Sequence, residues 1–151
     1  MTKKELAVAA LRNGTVIDHI PSSELFKAVR ILGIENLSTN VTIGYNLDSK
    51  KLGKKGIIKV ADVEFDEAQL NRIALIAPTA MVNIIRDFAV AEKHPVTLPD
   101  TITGIVRCAN PKCITNNEPM ATKFQVIGRD PVMIRCHYCN HTVAGEDAEI
   151  L

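Results

Sequence analysis

GTVIDHIPSSELFKAVRILG, residues 14–33, changes period halfway along its length. GTVIDHI begins at a glycine and alternates well enough to be a strand. PSSELFKAVRILG then carries Leu25, Val29 and Leu32 as a helical apolar stripe, with Ser22 as its expected N-cap and Gly33 closing it. A strand that feeds directly into an amphipathic helix is a βα unit. Downstream, NVTIGYNL (40–47) sets Val41, Ile43, Tyr45 and Leu47 on one expected face, and IIKVADV (57–63) returns as a second strand. Between them, DSKKLGKKG is a basic turn punctuated by glycine. DEAQLNRIALIA (66–77) opens with Asp66 and Gln69 at capping-box spacing, turns Leu70, Ile73 and Ala74 inward, and stops at Pro78. AMVNIIRDFAV supplies further strand material.

Strand, helix, strand, strand, helix, strand is the ferredoxin-like plan, an α+β fold with two helices on one face of an antiparallel sheet. EKHPVTLPD (92–100) has two prolines and no periodicity, so it reads as a linker. The expected domains are therefore 1–97 and 98–151, with all four cysteines in the second. That segment has two short strands, GIVRC and TKFQVIG, and is too small to be stabilised by core burial alone.

Cys108 and Cys113 are separated by four residues, 22 residues follow, and Cys136 and Cys139 are separated by two. Each pair sits where a strand enters a tight turn, so two knuckles would present four thiolates to one ion. That is the set preferred by structural Zn²⁺, one per chain, and it leaves no open position for catalysis. A disulfide framework suits an oxidising compartment, and a redox Cys-x-x-Cys leaves Cys108 and Cys113 unexplained. His137 and His141 read as exposed turn residues.

Composition bounds the function. The 151 residues are 46% hydrophobic and 23% charged, as in a soluble protein with a real core. Net charge is +1, with no Trp, two Tyr and four Phe, so neither an electrostatic trap nor a base-stacking platform for nucleic acid is evident. Residues 102–151 balance five basic against five acidic side chains, which favours protein docking over nucleic acid. MTKKELAVAALRNG lacks the apolar run of a secretion signal, and no stretch is long enough to span a membrane. A cytoplasmic location is the expectation.

Lys50, Lys51, Lys54 and Lys55 cluster in one hairpin, with Lys59 just beyond. Such lysines suit either a solvated loop or an anion site. Asp18 and His19 interrupt an apolar strand, where polar residues face solvent or serve a ligand; a carboxylate suits ribose hydroxyls, and His with Lys suits phosphate. No P-loop, nucleophile elbow or hydrolase motif is present. A zinc ribbon that binds nucleic acid and a ferredoxin-like amino-acid sensor are the competing readings.

RNGTVIDHIP, TIGYNL, GKKGIIKV, IALIAPTAMVNII and C-x-N-x-x-C-I-T-x-x-E-P (108–119), followed by C-x-x-C, resemble the regulatory chain of aspartate carbamoyltransferase over essentially the whole length. The resemblance implies a non-catalytic subunit that controls the catalytic chain in pyrimidine biosynthesis. It also implies an N-terminal allosteric domain for CTP and ATP, a zinc domain docked on the catalytic chain, and regulatory homodimers bridging two catalytic trimers. Carried over by motif, Asp18 and Lys59 would meet the ribose, and His19 and Lys93 the phosphates. Val8, Ala9, Ala10 and Leu11, with Asn83, Ile85, Phe88 and Val90, would surround base and sugar. Ala9 stands where the family carries Glu, and Phe88 where it carries Tyr, both beside the expected pocket.

Overall fold

The computed structural model describes residues 11–151. These divide into two compact units, one ending at Val96 and the other running from Thr97 to Leu151. The first is built from β1 (Gly14–Pro21), α1 (Leu25–Ile31), β2 (Val41–Ser49), β3 (Gly53–Ala61), α2 (Glu67–Ile76), β4 (Met81–Arg86) and β5 (Ala89–Pro95). Its five-stranded sheet has the order β2-β3-β1-β4-β5, antiparallel at every pairing. β3 lies between β1 and β2, as in the ferredoxin-like split βαβ. β5 is an addition to that plan at the sheet edge.

One sheet face carries the core. Thr15, Ile17, Ile20, Ile58, Val60, Val82 and Ile84 are buried together with Leu25, Ala28 and Leu32 of the α1 region and Ile73 and Ala74 of α2. α1 presses close to the sheet at Gly56: a Cβ there would lie 2.7 Å from Leu25 Cδ1. Gly56 pairs with buried Ile20, which fixes the face that α1 covers. Thr15 is satisfied inside this core by donating from Oγ1 to the Val63 carbonyl at 2.6 Å.

Several local expectations shift. Ser22 caps nothing; Ser22–Glu24 form a 3-10 turn that leads into α1, and the backbone N–H of Leu25 bonds the Ser22 carbonyl. Ala28, not Val29, completes the buried stripe with Leu25 and Leu32. Gly33 does close the segment, at φ 64°. At Asp66 the capping box is complete: Gln69 N–H donates to Asp66 Oδ1 at 2.8 Å, and Asp66 N–H to Gln69 Oε1 at 3.3 Å.

β2 does not keep one apolar face. Val41 and Ile43 pair with core-facing Val60 and Ile58, but a bulge between Gly44 and Leu47 turns Leu47 to the opposite face, opposite Lys55. Asn46 takes the left-handed conformation there, at φ 55°. The 81–95 segment also differs: it is a hairpin whose two-residue turn is Asp87-Phe88. β5 includes Glu92–Pro95, so the segment expected as linker is half strand. Every β5 residue is exposed, which leaves no burial pattern for a sequence to display.

The second unit holds β6 (Thr101–Thr103), β7 (Val106–Arg107), β8 (Lys123–Arg129), β9 (Val132–Cys136), β10 (Thr142–Ala144) and β11 (Glu149–Ile150). A four-stranded sheet, β10-β9-β8-β6, accompanies the β11-β7 pair. Ile102, Phe124 and Cys136 lie in one register row, so the small core runs directly into a knuckle cysteine. Among the described residues, no helix is long and apolar enough to cross a membrane.

Candidate functional site

Cys108 follows β7 and Cys136 ends β9, so each knuckle hangs from a strand. In the first, Cys113 N–H bonds the Asn110 carbonyl at 3.0 Å, and Lys112 N–H bonds Asn110 Oδ1 at 3.0 Å. Two asparagines tie it down: Asn116 Nδ2 donates to the Cys108 and Asn110 carbonyls, each at 2.8 Å, and Asn117 Nδ2 to the Cys113 carbonyl at 2.8 Å. In the second, Asn140 N–H bonds the Cys136 carbonyl at 3.0 Å, with Asn140 itself at φ 63°. The side-chain amides at 116 and 117 satisfy carbonyls that a tight turn leaves open.

The four sulfurs lie within 4.8 Å of one another. Tetrahedral Zn–S bonds of about 2.3 Å place sulfurs about 3.8 Å apart. Cys108 and Cys139 are 3.5 Å apart across the knuckles, and Cys113 and Cys136 3.7 Å. The donor set therefore fits one zinc ion. Burial pushes the Cys108 thiol up to about 12 and raises that of Cys136. At Cys139 burial also works upward, but the His141 backbone N–H, the Asn110 side chain and the neighbouring thiols outweigh it and bring it to about 7. Four thiolates so close together need a divalent cation to coexist. Zinc bound by four sulfurs has a closed shell and would serve structure alone.

In the first unit, Asp18, Lys59, Asn83, Ile85, Val90 and Lys93 of the expected ligand residues lie on the sheet face opposite the helices. Residues directly opposite in register point to the same face. Lys59 pairs with Val16, Val16 with Asn83, and Asn83 with Lys93, so these four form one row across β3, β1, β4 and β5. At a strand spacing of about 4.8 Å the row spans roughly 14 Å. Asp18 lies two residues along from Val16 on the same face, beside Met81. Ile85 pairs with Gly14 and Val90 in the next row. A bulge between Ile84 and Ile85 is what brings Val90 and Lys93, three residues apart, onto one face.

A second bulge, in β1 between Ile17 and Ile20, contains Asp18 and His19, with His19 at φ 57°. Asp18 Oδ1 accepts the His19 N–H at 2.6 Å and the Lys55 ammonium at 2.8 Å. Burial alone would raise the Asp18 carboxyl, but Lys55, the His19 N–H and the His19 charge hold it below its ordinary value. Burial lowers the Lys59 ammonium, offset in part by the charge of Asp18. Thr79 Oγ1 donates to the His19 carbonyl at 2.9 Å, while His19 Nδ1 is buried without a hydrogen-bond partner among the described residues. Lys55 and Thr79 were not singled out as site residues. For Lys55 the signal was its place in the lysine cluster; which lysine turns back to Asp18 depends on strand register.

Phe88 is 69% exposed at the tip of the β4–β5 turn, and Val90 is exposed beside it. Leu11 is half-buried just before β1. Val8, Ala9 and Ala10 lie outside the described residues. Ile85 also lines a cavity of about 280 Å³ with Asn13, Gly14, Asp62, Glu64 and Arg86.

Residues 6–97 match the family of the aspartate carbamoyltransferase regulatory chain, allosteric domain, and residues 100–149 match that of its metal binding domain. The chain is 60% identical over 149 residues to an aspartate carbamoyltransferase regulatory chain of Bacteroides fragilis, covering 99% of this chain and 97% of that one. It is 58% identical, with the same coverage, to the corresponding chain of Bacteroides thetaiotaomicron. Across a much wider divide it is 50% identical to that of Pyrococcus horikoshii, covering 97% of each chain.

Proposed function

We propose that this chain, which belongs to the family of aspartate carbamoyltransferase regulatory chains, is the non-catalytic, cytoplasmic subunit through which CTP and ATP control a catalytic partner. Residues 1–97 bind the nucleotide, and residues 98–151 hold zinc through Cys108, Cys113, Cys136 and Cys139 and dock on the catalytic chain. The observation that carries the effector reading is the row Lys59–Val16–Asn83–Lys93 beside Asp18. Cations at its two ends and a carboxylate near its middle suit an extended, polyanionic ligand with ribose hydroxyls. Asp18 and Lys59 would take the ribose, and His19 and Lys93 the phosphates. Val8, Ala9, Ala10, Leu11, Asn83, Ile85, Phe88 and Val90 would surround base and sugar. Ala9 and Phe88, which depart from the family pattern implied by the resemblance, leave the ranking of CTP against ATP open.

Control would work by linkage. A nucleotide that binds one quaternary state better shifts the populations by no more than its differential binding energy, and substrate affinity follows. Regulatory chains would pair as homodimers that bridge two catalytic trimers. Exposed Phe26, Ile43 and Tyr45, along edge strand β2 and the helix beside it, support such pairing.

Calorimetric titration of the zinc-loaded chain with CTP and ATP should show saturable binding and no turnover. Mixed with its cognate catalytic trimer, the chain should elute as a larger complex whose aspartate response changes with nucleotide. A zinc-loaded chain that never associates with the trimer would overturn the reading.

A further inference from the structure

Asp87 and Phe88 form the two-residue turn between β4 and β5, and both have left-handed backbones, at φ 51° and 65°. Asn, Asp and Gly suit such a turn; a phenylalanine in its second position does not, because its Cβ crowds the following carbonyl. Something outside the turn must hold it. Two hydrogen bonds do so: Asp87 N–H donates to Asn13 Oδ1 at 3.2 Å, and Phe88 N–H donates to the Arg12 carbonyl at 2.9 Å. The Asn13 carbonyl in turn accepts the Asp62 N–H at 3.0 Å. Asn13 thus ties together the β4–β5 turn, the β3–α2 loop and the chain entering β1. It also shares with Ile85 the lining of the 280 Å³ cavity.

We infer that Asn13 is a positioning residue for the nucleoside end of the effector pocket. The inference rests on the effector reading above and names a residue outside the ligand-contacting set. The side chain of Asn13 need not touch the ligand. It fixes the turn that presents Phe88 and Val90 relative to Leu11, and these residues would flank base and sugar. Lys59, Asp18 and Lys93 sit inside strands whose register does not involve Asn13, so the phosphate and ribose contacts should not depend on it.

The test is calorimetry on the zinc-loaded full chain, with CTP, ATP and inorganic tripolyphosphate as probes. Asn13→Ala should weaken both nucleotides about twofold to tenfold, the range for losing one hydrogen bond. Tripolyphosphate affinity should not move, and zinc content should match wild type. Asp87→Gly lowers the cost of the left-handed backbone at the turn's first position, so Asn13→Ala combined with Asp87→Gly should recover part of the loss. This double variant also serves if Asn13→Ala alone melts early. Unchanged nucleotide affinity in Asn13→Ala, an equal loss for tripolyphosphate, or no recovery in the double variant would each overturn the inference. A wild-type chain that binds neither nucleotide would remove the effector reading itself, and this inference with it.

Discussion

The two units stand up for different reasons. The first buries a long run of aliphatic side chains, among them Ile17, Ile20, Leu25, Ile58, Ile73, Leu75, Val60 and Val82, all below 2% exposed. The second buries Phe124, Ile134, Val106 and Ile102 and then finishes its interior with sulfur, at Cys108, Cys113 and Cys136. One interior is closed by hydrocarbon and the other by what its thiols bind. A small unit can dispense with a large core when a metal ties its loops together, but its stability then belongs to the metal.

Chelation should separate them most sharply. Structural zinc contributes apparent binding free energies of about 10–16 kcal/mol in small zinc-dependent units. Removing it should abolish amide protection across Thr97–Leu151 and leave the first unit protected. If both units lost protection together, or neither did, the contrast would be wrong. The mirror experiment is Ile58→Ala, which opens a cavity in the first core for a cost of about 2–5 kcal/mol. Its denaturation midpoint should fall in the first unit only, with zinc still bound to the four cysteines.

Ligand chemistry should follow the same division. Lys59→Ala and Lys93→Ala each remove a charge-assisted contact of about 1.5–3 kcal/mol, so nucleotide affinity should drop roughly tenfold to a hundredfold. Lys112→Ala, in the zinc unit, should leave it alone; equal losses at all three positions would mean diffuse electrostatics in place of a defined pocket. Acid should act on the first unit through Asp18. Its folded pKa lies below the ordinary 3.8, so the stabilisation its ionised form brings is complete above that value and is lost as pH falls through the lower folded one. Lys55→Met should move the Asp18 titration, followed by carboxyl NMR shifts, upward. Smallest is the helix cap: Asp66→Ala should cost the first unit about 0.5–2 kcal/mol and leave the zinc unit untouched, read as a shift in melting temperature.

How much of this was legible depended on range along the chain. The capping box at Asp66 and Gln69, the end of α1 at Gly33 and the cysteine spacing involve residues a few positions apart. Local chemistry dictates them, and they could be read directly. Ser22 looked like a cap by the same logic, but a 3-10 turn supplied the needed bond and left its hydroxyl unused. β5 escaped because an exposed edge strand is held by backbone pairing and has no apolar face to betray it. The resemblance named Asp18, Lys59, Asn83 and Lys93 together without saying why they share a face.

The sequence by itself determined the two-part organisation, the ferredoxin-like order of elements and a donor set for one zinc ion, because each is written in composition, period or spacing. Only the tertiary structure decided which residues share a face. A strand's side chains alternate with a period of two, so a single bulge inverts everything beyond it. Bulges at Asp18-His19, after Gly44 and after Ile84 did this three times. They kept Ile20 in the core, turned Leu47 out of it, and placed Val90 and Lys93 on the face that carries Asp18 and Lys59. Where a bulge falls depends on the strand opposite, and that strand is far away in sequence.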